Sequence, residues 1–265
     1  MAADTSHPAI RQPPDTGIPV WRYMDFAKYV AMLKSSSIHF ARLDTLGDPF
    51  EGSLSRAEYE HWKGVAEAGE KNGDLPPEWR GRYFDVLMSN TRRARKESYV
   101  SCWHMNRGES EAMWKLYGST GYAIAIRSTY RDLASALPAE FEPQEHSGPF
   151  LGIVQYADHH VDDLPRGNIF HAIMFKRLSF AHEQECRAVI RRRSPKNQVL
   201  STPWRVLDTY PPGVAVPVAL ESLVQKVVVS PSAPGWFAET VAHVTALYGL
   251  GFTVEQSSLA VEPYL

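Results

Sequence analysis

A chain of 265 residues with 44% hydrophobic and 11% aromatic residues has ample apolar mass for a core, as one large domain or two small ones. Its 28 basic and 30 acidic residues give a formal charge of −2, which argues against a broad electrostatic nucleic-acid footprint. Only local basic runs remain, Arg92-Arg93-Ala94-Arg95-Lys96 and Arg191-Arg192-Arg193. No run approaches the roughly 20 apolar residues of a membrane span. The Pro-rich start lacks the regions of a secretory leader, and the two cysteines, Cys102 and Cys186, fit a reducing cytoplasm and form no metal-ligand spacing.

In chain order, residues 1–18 read as a flexible lead and 19–265 as a single α+β domain. Trp21, Arg22 and Tyr23 fall in a first strand over 20–24. Phe26, Tyr29, Val30 and Leu33 repeat at helical spacing and predict a helix over 26–34, with a strand over 37–41 after it. The turn Leu46-Gly47-Asp48-Pro49-Phe50-Glu51-Gly52 mixes breakers with two acids. Helical spacing of Glu58, Tyr59, Trp62 and Val65, and of Tyr83, Phe84 and Leu87, fills much of 55–96, with a break over 72–77. Residues 98–103 and 121–126 read as strands flanking a short helix that carries Met113, Trp114 and Tyr117. Further strands are expected over 150–156, 185–191, 213–218 and 224–229, then a helix over 236–248 and a strand near 252–255. The Pro-rich stretch 194–212 reads as a long surface loop. This order predicts an α+β fold: a mostly antiparallel mixed sheet, or two small sheets packed together, with helices concentrated in the N-terminal half.

Candidate chemistry centres on His182-Glu183-Gln184-Glu185-Cys186-Arg187, where two carboxylates stand two residues apart as an apolar strand begins. On a strand, Glu183, Glu185 and Arg187 share one face. Solvent would make that face inert, whereas a partly dry site would split the pKa values of the two acids. Arg22 either snorkels to the surface or offers its planar fork to phosphate or carboxylate. Asp48 reads as a turn cap beside Pro49; Ser101 is a small hydroxyl in an apolar strand. Trp103, Trp114 and Tyr117 read as core or pocket wall, and Glu111 caps or lines the same region. Metal-dependent cleavage would need Asp48, Glu51, Glu183 and Glu185 to cluster. No zincin, nucleophile-elbow, P-loop or dinucleotide-binding motif occurs.

The segments Trp21-Arg22-Tyr23, Asp48-Pro49-Phe50-Glu51, Ser101-Cys102-Trp103, Met113-Trp114-x-x-Tyr117 and Lys176-x-x-x-Phe180-x-x-Glu183-x-Glu185-x-Arg187 resemble the bacterial domain of unknown function 2971 family, over roughly residues 20–190. That resemblance implies no activity. A second one does. ADP-ribosyltransferases of the Arg-Ser-Glu type present an arginine on an early strand, an aromatic-x-Ser strand and a late Glu-x-Glu, and Arg22, Tyr99-Val100-Ser101 and Glu183-Gln184-Glu185 are similar in order. Trp103 stands where the second serine of the Ser-Thr-Ser form is found.

The second resemblance implies a cytoplasmic NAD-consuming transferase, in role a bacterial toxin or anti-phage effector, with NAD as substrate and no metal expected. Glu185, Glu183 and Ser101 would be catalytic. Glu185 would stabilise charge on the ribose, Glu183 would orient or deprotonate the acceptor, and Ser101 would position the catalytic acid. Arg22 and Tyr23 would bind NAD, with Trp103 or Tyr117 stacking on nicotinamide. The acceptor, protein or nucleic acid or water, and the oligomeric state are left open. The competing readings are a metal-dependent nuclease or hydrolase and a non-catalytic ligand- or partner-sensing module.

Overall fold

The computed structural model describes residues 3–118, 121–138, 146–192 and 210–261; most of the expected 194–212 loop lies outside them. The chain opens with β1 (Pro19–Asp25), α1 (Phe26–Ser35) and β2 (Ser37–Arg42), then α2 (Arg56–Asn72) and α3 (Tyr83–Glu97). β3 (Ser98–Met105), α4 (Glu111–Tyr117), β4 (Ala123–Thr129) and α5 (Tyr130–Ala136) follow, then β5 (His146–Ile153), β6 (Gln155–Ala157), α6 (Ile169–Met174) and β7 (Phe175–Arg177). The last part holds β8 (Glu185–Arg192), β9 (Gly213–Pro217), α7 (Leu220–Leu223), β10 (Lys226–Val229), α8 (Gly235–Leu247) and β11 (Val254–Gln256). The fold is α+β, with a mostly antiparallel sheet of nine strands and a two-stranded parallel ribbon of β6 and β7. Among the described residues, no helix is long and apolar enough to cross a membrane.

The local rules read from sequence explain the helix limits. Asp25 caps α1 by accepting from Lys28 N at 2.8 Å, and Ser55 caps α2 by accepting from Glu58 N at 3.2 Å. Gly73 ends α2 at φ 72°, a left-handed conformation that glycine adopts without a Cβ clash. One face of the sheet is covered by α1, α5, α7 and α8, whose Tyr29, Leu33, Leu133, Leu223 and Val241 pack on Ile124, Ile126 and Val227. On the other face, Met113 and Trp114 of α4 cover Trp21 and Ala125, while Phe170, Ile173 and Met174 of α6 cover Val100 and Val189. β1, β3, β4 and β8 therefore bury apolar side chains on both faces.

The sheet forks at β3. Along one edge β3 pairs with β8 from Ser98↔Arg191 to His104↔Glu185. Along the other, its end pairs with β1 (Trp21↔His104) and its start with β2 (Arg42↔Tyr99, Ala41↔Val100). Among the described residues, no strand pairs with residues 101–103 on that edge. β1 and β2 both run antiparallel to β3, so they are parallel to each other and need the α1 crossover. From the fork, one branch runs β1-β4-β10-β11 and the other β2-β9.

Several elements differ from the sequence expectation. The single strand foreseen over 150–156 is two strands in two sheets, and α5, α6 and α7 were not foreseen. Residues 3–18, expected as a flexible lead, lie along β5: Leu151 N donates to Asp4 O at 3.1 Å, Ile153 N to Arg11 O at 2.9 Å, and Tyr130 Oη to Gln12 Oε1 at 2.7 Å. Ile10 is buried. The segment covers a sheet edge that would otherwise present unpaired backbone groups.

Gly152 is where this docking is tightest, since a Cβ there would fall on Ile10 Cγ2 and Arg11 O. Gly152→Ala should lift the segment, speed its limited proteolysis and cost about 1–3 kcal/mol in urea unfolding. Unchanged cleavage of residues 3–18 would show that the segment is not held there.

Candidate functional site

The fork opens a cleft of about 700 Å³, within the range of small-molecule sites. It passes through the gap between β1 and β2, so it takes side chains from both faces of the sheet. Arg22 and Met24 of β1 enter from one side with Lys28 and Met32 of α1; Tyr23, Cys102, His104 and Tyr117 enter from the other, with Glu183 and Glu185. Trp103 also lines it, and the Arg22 guanidinium lies 5.7 Å from its ring centroid. Tyr23 and Tyr117 stack with centroids 6.5 Å apart.

Arg22 spans the gap: its Nη2 donates to His39 O of β2 at 2.7 Å. It has no carboxylate partner among the described residues, and burial pulls its guanidinium below the usual arginine range. A half-buried cation with one carbonyl and one aromatic face for company is suited to bind an anion.

The carboxylates line the same cleft, and around them a buried charge network forms. Arg187 is fully buried. Its Nε and Nη2 donate to Glu185 Oε1 and Oε2 at 2.6 and 3.1 Å, and its Nη1 and Nη2 donate to Glu51 Oε2 and Oε1 at 2.9 and 3.2 Å. Lys176 Nζ lies 3.2 Å from Glu51, 2.6 Å from Glu183 and 3.4 Å from Glu185. Two cations thus face three carboxylates. Burial alone would raise the Glu185 carboxyl; Arg187 and Lys176 overcome it and hold it at about 2. Burial drives the Cys102 thiol well up, reinforced by the Glu185 carboxylate near it.

Each residue singled out from sequence now has a place. Arg22, Tyr23, Trp103, Tyr117, Glu183 and Glu185 share the cleft. Ser101 does not line it: its hydroxyl is buried and accepts from Trp103 Nε1 at 3.1 Å, while its neighbours Cys102 and Trp103, on opposite faces of the strand, both line the cleft. Glu183 is not on the strand. It ends a 3-10 turn over Leu178–Glu183, and Gln184 reverses the chain at φ 40° before β8 begins. Glu185 has both oxygens bonded inside the network and is 2% exposed at its side chain, against 19% for Glu183. Glu183 Oε1 has no partner among the described residues. Asp48 is held by Arg177 at 2.7 and 3.0 Å and caps Phe50 N at 3.0 Å, as a turn residue does. Glu111 points to solvent against Lys115, and Trp114 is buried, donating to Glu109.

Glu51, Glu183 and Glu185 do cluster, but around an ammonium: Lys176 Nζ occupies the position a divalent cation would take. Among the described residues, no group of three or more His, Cys, Asp or Glu is arranged to hold a metal. Lys176, His104 and Cys102 were missed as site residues. Lys176 had a signal, its fixed spacing before Phe180, Glu183 and Glu185; its Nζ sits 4.8 Å from the Phe180 ring centroid.

No protein-family model matches the chain, and no curated protein sequence matches it; the domain of unknown function 2971 resemblance thus gains no support from a family model. Two solved structures of DarT from Thermus sp. 2.9 are similar in fold. The one in complex with NAD+ aligns over 95% of this chain and 100% of its own at 8% identity and TM-score 0.40. The one in complex with ADP-ribosylated ssDNA aligns over 96% and 100% at 9% identity and TM-score 0.39.

Removing one partner of a buried pair strands the other charge, so Arg187→Ala should cost about 3–5 kcal/mol in urea unfolding. A carboxyl held below its unfolded value of 4.5 stabilises the fold fully above pH 4.5 and loses that contribution as pH falls toward 2. Wild type should therefore lose stability through that window more steeply than Glu185→Gln. Parallel stability profiles for the two would refute the ion-paired state of Glu185.

Proposed function

We propose that the cleft binds NAD and that the protein is an ADP-ribosyltransferase-like enzyme, breaking the nicotinamide–ribose bond and passing ADP-ribose to a protein, nucleic-acid or water acceptor. The observation that carries this reading is the pair of charges in one cleft: an Arg22 without a carboxylate partner among the described residues, and a carboxylate-rich wall. NAD matches it, with a pyrophosphate for Arg22 and a cationic pyridinium ring for the acidic wall. The aromatic side chains of the same cleft, Trp103, Tyr23 and Tyr117, suit planar rings.

The chemistry follows from charge. As the C1′–N bond breaks, its electron pair leaves with nicotinamide and the ribose becomes positive, so a fixed carboxylate stabilises the transition state more than the ground state. We assign contact with the ribose to Glu183, because its Oε1 is unengaged and its side chain reaches the cleft. Glu185, bonded at both oxygens, adds negative potential from behind and anchors the wall. Lys176 fixes Glu183 from the side away from the ligand. One observation favours a second reading, a module that binds the dinucleotide without cleaving it: the more buried acid has no free oxygen.

Nicotinamide release and NAD binding, measured side by side, decide between them. Wild type should release nicotinamide. Glu183→Gln should slow release by about 100-fold or more with little change in melting temperature, and Arg22→Ala should weaken NAD binding about tenfold or more. Binding without release would leave the sensing module standing, and no NAD binding by folded wild type would remove the dinucleotide reading altogether.

A further inference from the structure

His104 is the one cleft-lining side chain with a buried, unpartnered nitrogen among the described residues. It sits on β3 two residues beyond Cys102, on the same face, paired in register with Glu185 on one side and Trp21 on the other. Its ring is 3% exposed and lines the cleft near Tyr23, with ring centroids 6.2 Å apart. Nδ1 lies 2.6 Å from Glu183 O. A carbonyl can only accept, so Nδ1 carries the proton and donates. Burial also keeps the imidazole neutral. Nε2 is then a lone-pair acceptor, shielded from bulk water, with no hydrogen-bond partner.

A buried acceptor without a donor costs free energy that a ligand bringing an N–H would recover. The same nitrogen repels a carboxylate or phosphate, since it has no proton to give, and Glu183 and Glu185 beside it add to the repulsion. We propose that His104 determines specificity beside the carboxylates: Nε2, covered in this structure, is uncovered as the ligand enters and accepts a hydrogen bond from the carboxamide N–H of the nicotinamide ring, so the site selects the amide over the corresponding acid. This rests on the NAD reading and extends it, because it fixes which end of the dinucleotide lies at the carboxylates and which group is recognised there. The bond from Nδ1 to the Glu183 backbone makes recognition and catalysis neighbours. The residue that senses the amide is braced against the main chain of the residue assigned to the ribose.

The test is a calorimetric comparison of NAD with nicotinic acid adenine dinucleotide, which carries a carboxylate in place of the carboxamide. Two variants separate the two ring nitrogens. His104→Asn keeps a donor near Nδ1, for Glu183 O, and removes the Nε2 acceptor; His104→Gln returns an amide oxygen close to the Nε2 position. Wild type should prefer NAD by about 100-fold or more. His104→Asn, with an unchanged melting temperature, should bring the preference to within about threefold, and His104→Gln should restore most of it. Wild type binding both dinucleotides equally, or His104→Asn keeping the wild-type preference, overturns the assignment of His104 while leaving NAD as the ligand. Binding of neither dinucleotide by folded wild type overturns the NAD reading and this inference together.

Discussion

The Arg187 guanidinium, fully buried between Glu51 and Glu185, is the interaction on which the cleft depends. It joins the turn after β2 to β8, and its Nη1 also donates to Ile173 O of α6 at 2.7 Å. Lys176 of β7 closes the ring by touching both carboxylates. The turn at Glu51 is thereby fixed to α6, β7 and β8, far along the chain, around one point. Taking these charges from water costs several kcal/mol per ion, and well-packed apolar residues would hold a fold at least as well. What apolar residues would not supply is a rigid acidic wall. The network holds Glu185 ionised in a dry setting and leaves Glu183 at its open edge.

The second constraint is the missing strand contact along residues 101–103. A continuous sheet would bring β1 and β2 side by side on the edge of β3 and close the space where the cleft now runs. Joining them through α1 keeps them parallel, and pairing them with opposite ends of β3 pulls them apart. Arg22 crosses the opening to His39 O through Nη2, and its other donors have no hydrogen-bond partner among the described residues. Sheet topology, more than any loop, sets which residues can meet there.

Much of this was legible from periodicity. The strands over Pro19–Asp25, Ser98–Met105 and Glu185–Arg192 and the helices Phe26–Ser35 and Gly235–Leu247 lie close to their expected positions, because each is long enough to repeat its pattern several times. Elements of four to seven residues, α5, α6 and α7, make at most two turns and leave no period to read. The docked lead was invisible for another reason: its ties are mostly backbone bonds with scattered contacts through Ala3, His7 and Ile10, which no local pattern announces. In the cleft, the co-location of Arg22, Trp103 and the two glutamates followed from segment order, but the faces did not. Cys102 and Trp103 reach the cleft from opposite faces of β3, while the small Ser101 hydroxyl stays buried against Trp103, which strand alternation alone does not announce. Glu183 and Glu185 were expected on one strand face; the left-handed turn at Gln184 breaks the alternation, and both acids reach the site by different backbone routes.

That break makes the two acids unequal. A strand would have delivered both carboxylates from one backbone line at equal depth, and each would have titrated against the other. With Gln184 turned back, Glu185 drops into the arginine's grip while Glu183 stays at the rim, tied to Lys176 through one oxygen and to His104 through its carbonyl. The paired cations cancel two of the three negative charges and leave one, at the position nearest solvent. Arg22 has no such compensation among the described residues. A ligand entering the fork meets a fixed field, positive to negative, set by residues that touch the core as firmly as they touch the cleft, so the polarity cannot relax when the site fills.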